Sequence, residues 1–241
     1  MKSAKLGQIG IAALWVLAVV TAIFAARYFV FSSATLEQIE DASARLSGNW
    51  AGVAPIPALH PFSHQPALLL LHVSGGIVTL VFGLFQFLPK LRQTRPQVHR
   101  SMGTIYAAAT VIAGLSGFPL SFLFYTVTDQ SIRGRLIPAA AGFAALSLVW
   151  PCLTAIAFVR ARQRRFSEHR AWMVRSYSLT AAAITTRVFA FPLLLITRDP
   201  ILAINLVMVS WPLNLLFAEM LVRRGSSSAM AVSAAAARAG Q

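Results

Sequence analysis

The sequence predicts an all-α, polytopic transmembrane bundle of six helices with both termini in the cytoplasm, and three observations carry that reading. Of its 241 residues, 57% are hydrophobic and only 12% charged, a composition that fits a soluble core poorly. Several apolar runs reach or approach the ~20 residues needed to cross bilayer hydrocarbon. The Lys and Arg residues behind the net charge of +14 fall in loops between those runs. That is the placement of topology signals beside an anionic membrane surface, not of a basic face on a folded domain. The lipid bilayer is the expected partner, and nucleic acid is not.

Lys2 and Lys5 precede an apolar stretch from about Leu6 to Val30. Its hydrophobic part exceeds the ~7–15 residues of a secretory core and no convincing small-x-small cleavage site closes it, so residues 1–30 read as an uncleaved first transmembrane helix. Residues 31–66 form an extracytoplasmic loop. Within it Leu36, Ile39, Ser43 and Leu46 recur at helical spacing and predict a short helix lying on the membrane surface. Pro55, Pro57 and Pro61 then impose extended or turning chain. His60 and His64 are four apart, but Pro61 between them opposes a regular helical ligand pair, and they read as solvated loop residues.

Residues 67–222 make a five-helix membrane domain. Its helices are expected at about Pro66–Leu88, Arg100–Tyr125, Leu136–Val159, Arg170–Ile196 and Ile201–Val222. Pro66 suits a first helical turn because its φ is already helical. Pro119, Pro151, Pro192 and Pro212 permit kinks where neighbours satisfy the freed carbonyls. Gly75, Gly76, Gly83, Gly103, Gly114 and Gly117 suit close helix packing in lipid. Residues 223–241, rich in Ser and Ala, read as a disordered cytoplasmic tail. With the amino terminus inside, fourteen Lys and Arg fall in the inner segments against five in the outer ones, a strong positive-inside bias.

The single Cys152 excludes an internal disulfide and any multi-cysteine metal cluster, and in its apolar run it reads as a small packing residue. No phosphate-cradling loop, His-Glu-x-x-His pattern or nucleophile elbow is present. Chemistry is therefore sought among ionisable groups at membrane depth, which are costly there and face the bundle interior. At ~1.5 Å of rise per residue they sort into two layers.

The inner layer holds His99, Arg100, His169, Arg170, Arg175 and Glu219, around two similar helix entrances, His99-Arg100 and His169-Arg170. A helix amino terminus disfavours an imidazolium and keeps a neutral ligand available. His99 and His169, on different helices, could thus clamp a redox cofactor such as haem b, or a metal. Glu168 or Glu219 would orient an imidazole from behind, and Arg170 and Arg175 would serve as charge partners for propionates or an anion. The same residues also read as plain interfacial anchors, or as a site for a lipid, quinone or anion. Glu219 is expected to pair with Arg175 or Arg100.

The outer layer holds His72, Arg187 and Asn205. It reads either as a polar network fixing three helices in register or as the site of a small-solute transporter or proton-relay protein. A third reading is a non-catalytic assembly subunit with a protein partner. Trp172, Trp211, Tyr125 and Tyr177 read as interfacial or packing aromatics.

From about Leu71 to Glu219 the chain resembles a family of bacterial predicted membrane proteins, domain of unknown function 2306. The resemblance rests on His72 with its Gly-rich helix and Gly83-Leu-Phe-Gln86-Phe, and on His99-Arg100-x-x-Gly103-x-x-Tyr106. It continues through His169-Arg170-x-Trp172-Met173-x-Arg175-Ser176-Tyr177, Arg187, and Trp211-x-x-Asn214 with Glu219. It implies a multi-pass protein of the bacterial inner membrane and supplies no substrate.

Overall fold

The computed structural model of the protein describes residues 2–30, 65–126 and 130–239. The expected surface helix around Leu36–Leu46, the loop prolines, and His60 and His64 lie outside these residues. Among the described residues the chain is helical throughout its elements, and six helices are long and apolar enough to cross a membrane: Ala12–Val30, Pro66–Gln86, Pro96–Leu123, Ile132–Arg162, Phe166–Thr197 and Ile201–Gly225. The chain is an all-α, multi-pass membrane protein.

The first span lies in α1 (Lys2–Val30), the second is α2 (Pro66–Gln86), and a short α3 (Pro89–Thr94) leads to α4 (Pro96–Leu120), which ends in a 3-10 turn, Ser121–Thr126. Then come α5 (Gln130–Arg162), α6 (Phe166–Thr180), α7 (Ala182–Thr197), α8 (Pro200–Asn205) and α9 (Val207–Ala239). α2, α3, α4 and α8 each carry Pro in the first turn, where its missing N–H removes no helical bond. This explains why α4 starts at Pro96, earlier than the apolar run alone suggests. α9 runs on to Ala239, where an unstructured tail was expected. The Ala-rich sequence there has high helix propensity.

Small residues set how closely the helices approach. A Cβ on Gly75 would lie 2.6 Å from the Ala109 carbonyl oxygen and 2.8 Å from Ala113 Cβ, so α2 meets α4 backbone to backbone. Gly142 of α5 does the same against Met208 at the start of α9. Between the helices lies a core of Leu80, Leu84, Tyr106, Ala157, Met173 and Tyr177. Large apolar side chains such as Leu115, Phe189, Phe191 and Ile196 are exposed, as lipid-facing residues must be. Cys152 is also exposed, not packed as expected, because its face of α5 points out of the bundle.

Two spans are discontinuous. The fifth is interrupted at Ala181, between α6 and α7, and the sixth at Leu206, between α8 and α9. Neither break carries Gly or Pro.

Candidate functional site

His72 lies two turns into α2, and the close approach at Gly75 brings its ring to α4. His72 Nδ1 is 2.8 Å from the Ala113 carbonyl oxygen. A carbonyl only accepts, so Nδ1 carries the proton and Nε2 is the polar atom left to offer a ligand. Gly117 makes room for this ring: a Cβ there would sit 2.7 Å from Nδ1 and 2.8 Å from Ser147 Oγ. Phe143 packs edge-on against the imidazole at 5.2 Å.

Beside His72 is a cavity of about 220 Å³, whose wall includes Gly76, Ser147, Trp150, Thr180, Thr186 and Arg187. Ala182, Ala183 and Val207 also line it, so both helix breaks abut it. At the first break Asn214 of α9 closes the gap: its Nδ2 donates to the Ser178 carbonyl at 3.1 Å and to Thr185 Oγ1 at 2.9 Å. Thr186 and Ser210 hydroxyls meet at 2.7 Å on the same side.

Arg187 Nη1 donates to the Ala183 carbonyl one turn back along its own helix at 2.7 Å. Among the described residues three carboxylates are present, and each is held elsewhere. Glu168 pairs with Arg160 and Arg165, Asp199 with Arg135, and Glu219 with Arg175 and Arg223. Arg187 thus has no carboxylate partner among them, although a lone guanidinium is costly at membrane depth.

Asn205, grouped with His72 and Arg187 by depth, is not on the cavity wall. Its Nδ2 donates to the Arg135 carbonyl at 2.8 Å and its Oδ1 accepts from Ala139 N–H at 3.0 Å. These are the two ends of one helical i→i−4 step beside Pro138, so Asn205 splices α8 onto α5. Depth along a helix is readable from residue count, but the direction a side chain takes around the axis depends on packing.

At the Arg-rich end, His169 Nδ1 lies 2.8 Å from the Ala157 carbonyl oxygen, which leaves its Nε2 free. His99 is within electrostatic reach of His169 and Arg92, and its buried Nδ1 has no hydrogen-bond partner, nor has the buried Nε2 of Gln86. Glu168 and Glu219 face arginines, not imidazoles. Arg175 gives Glu219 Oε2 two bonds, at 2.9 Å and 2.6 Å, and lies over the Trp172 ring at 4.7 Å. Arg170 is exposed at the start of α6. Among the described residues no three of His, Cys, Asp and Glu come together as a metal group.

Between the two ends is a hydroxyl cluster that spacing alone does not reveal. Trp150 Nε1 donates to Thr180 Oγ1 at 3.1 Å, and Thr154 Oγ1 donates to the Trp150 carbonyl at 2.9 Å. Tyr106 Oη lies 3.0 Å from Thr180 Oγ1 and 2.8 Å from Ser176 Oγ, which is 2.6 Å from Thr154 Oγ1. An indole only donates, a carbonyl only accepts, and each hydroxyl has one proton. One order that satisfies these bonds runs from the Trp150 indole to Thr180, to Tyr106, to Ser176, to Thr154, and back to the Trp150 carbonyl, and Thr180 Oγ1 also has the Ser176 carbonyl at 3.5 Å. The cluster joins α4, α5 and α6.

A family model described as predicted membrane protein (DUF2306) matches residues 69–222, more than half of the chain. The match starts within α2, leaving α1 outside it. No curated protein and no solved structure matches the chain.

Proposed function

The chain belongs to the DUF2306 family of predicted membrane proteins, and we propose that it binds a small carboxylate-bearing molecule in the cavity between His72 and Arg187. One observation carries this reading: a guanidinium without a carboxylate among the described residues shares a cavity wall with an imidazole and several hydroxyls. Arg187 supplies a fixed cation and fork-shaped donors suited to a carboxylate. His72 Nε2 accepts the acid's proton, or donates to the anion once protonated. A cavity of about 150 Å³ holds benzene, so this one has room for a carboxyl group with a short chain or a ring.

The two interrupted spans beside the cavity favour a solute-translocating role over static binding, because broken helices at membrane depth are tolerated where they line a site. In orientation, the fourteen-to-five charge bias supports both termini in the cytoplasm of a bacterial inner membrane. The test is thermal unfolding of purified protein with a panel of small carboxylates. A ligand at a hundred times its Kd stabilises by about 2.7 kcal/mol, and Arg187→Gln should abolish the shift. No shift with any carboxylate, or an equal shift in Arg187→Gln, would overturn the proposal.

A second reading is favoured by the unpartnered Nδ1 of His99 beside His169, whose Nε2 is free. These two nitrogens, with Arg170 and Arg175 nearby, would hold a haem b or a quinone. Oxidised and dithionite-reduced spectra of the wild type, His99→Ala and His169→Ala decide it. A Soret band lost in either variant supports haem, and a protein that stays colourless after haem is supplied removes it.

A further inference from the structure

Resting on the reading of the His72–Arg187 cavity as a carboxylate site, we infer that its ligand is a hydroxy acid, whose hydroxyl is held between His72 and Ser147 while its carboxylate faces Arg187. Ser147 carries the inference. It stands on the cavity wall and is only 3% exposed. Elsewhere in the bundle, Ser74, Thr110, Ser116 and Thr154 each return their hydroxyl proton to a carbonyl of the preceding helical turn, at 2.6–2.9 Å. Ser147 makes no such bond, and its hydroxyl has no hydrogen-bond partner among the described residues. The other hydroxyls on the wall are engaged. Thr79 donates to the Gly76 carbonyl at 2.9 Å, Thr180 accepts from the Trp150 indole at 3.1 Å, and Thr186 meets Ser210 at 2.7 Å. Ser147 also stands beside the imidazole, since a single added atom, a Cβ at Gly117, would be 2.7 Å from His72 Nδ1 and 2.8 Å from Ser147 Oγ.

Donor and acceptor roles then narrow the ligand. With Nδ1 held to the Ala113 carbonyl, the neutral ring presents a lone pair at Nε2 and no proton. A carboxylate drawn to Arg187 is acceptor-only, and it meets that lone pair only by bringing its own proton. A hydroxyl meets it directly, and the hydroxyl oxygen in turn accepts from Ser147. His72 and Arg187 lie within electrostatic reach of each other and border the same cavity of about 220 Å³, so one small molecule can touch both. Leu80, Phe143 and Leu146 on the wall suit the apolar body of such an acid. Selectivity follows from the cost of leaving buried polar groups unmet: a site that hydrogen-bonds a substrate hydroxyl rejects the analogue lacking it.

The test follows the unfolding midpoint of the full chain in detergent against ligand concentration, for matched acids: 3- and 4-hydroxybenzoate beside benzoate, and 3- and 4-hydroxybutyrate beside butyrate. In at least one pair the hydroxylated acid should bind at least about tenfold more tightly. Ser147→Ala should shrink that gap to about threefold or less. Because the Ser147 hydroxyl bonds nothing in the protein, the same variant should keep the ligand-free midpoint of the wild type. A lowered ligand-free midpoint, or a gap that Ser147→Ala leaves intact, would overturn the inference. If each plain acid binds as tightly as its hydroxylated partners, and Arg187→Gln removes the binding of both, water serves His72 and Ser147: the carboxylate site stands and the hydroxyl inference is wrong. If no acid of either kind moves the midpoint, the carboxylate reading falls and this inference with it.

Discussion

Trp150 and Thr180 are joined at 3.1 Å, indole N–H to hydroxyl, and both stand on the cavity wall. The same bond opens the hydroxyl ring through Tyr106, Ser176 and Thr154. Its members are all buried: Tyr106 and Ser176 have no exposed surface and Thr154 1%. The ring thus forms a buried floor under the cavity. Tyr106→Phe would remove the hydroxyl that joins Thr180 to Ser176 while filling the same space. It should destabilise by about 1–3 kcal/mol, read as a lower unfolding midpoint in detergent. An unchanged midpoint would mean that the ring locks nothing.

Gly76 lines the cavity, and a Cβ added there meets nothing within 4 Å. Gly76→Ala should therefore fold as the wild type does or gain up to about 1 kcal/mol from helix propensity. Gly76→Leu should fill the cavity and remove ligand-dependent stabilisation without lowering the unfolding midpoint. A Gly76→Leu variant that still responds to ligand would place the site elsewhere.

Gly117 behaves oppositely. An added Cβ would press on His72 Nδ1 at 2.7 Å and on Ser147 Oγ at 2.8 Å, both pinned by their helices. Gly117→Ala should cost about 1–3 kcal/mol and displace the imidazole from the Ala113 carbonyl. The measurement is the unfolding midpoint of Gly117→Ala beside that of Gly76→Ala, and equal midpoints would contradict the geometry.

The six spans are legible in the sequence because lipid requires long uninterrupted apolar runs, and the charges between them punctuate those runs. The depth of His72 and Arg187 is legible too, since rise per residue is constant, and both prove to line one cavity. Asn205 sits at a comparable depth yet turns towards Arg135 and Ala139, because its azimuth is set by how α8 docks on α5. The breaks at Ala181 and Leu206 leave no sequence mark, as neither carries Gly or Pro and each is stabilised by tertiary partners. The hydroxyl ring is hidden for a related reason: Thr154, Ser176 and Thr180 are ordinary helix residues until three helices bring them together. Glu219 with Arg175 was foreseeable, since a buried-edge acid among arginines has few other choices.

Asn214 shows how the break at Ala181 is held, and it yields the sharpest discrimination between two substitutions. Its amide nitrogen donates to the Ser178 carbonyl at 3.1 Å and to Thr185 Oγ1 at 2.9 Å, while Oδ1 lies 3.1 Å from the same hydroxyl. Asn214→Ala removes these bonds and leaves the Ser178 carbonyl unmet in an apolar setting, a loss of about 0.6–2 kcal/mol by the values found for hydrogen bonds between membrane helices. Asn214→Asp is nearly isosteric, yet it should be worse than Ala. It replaces the donor facing Ser178 with a second acceptor, so two oxygens confront each other, and an ionised carboxylate at this depth carries its own desolvation cost. The order of unfolding midpoints should be wild type, Asn214→Ala, Asn214→Asp. Both variants should also weaken ligand-dependent stabilisation, because Ala182 and Ala183 on the cavity wall follow directly from the break. If Asp is tolerated better than Ala, the amide nitrogen is not the group that holds the fifth span together.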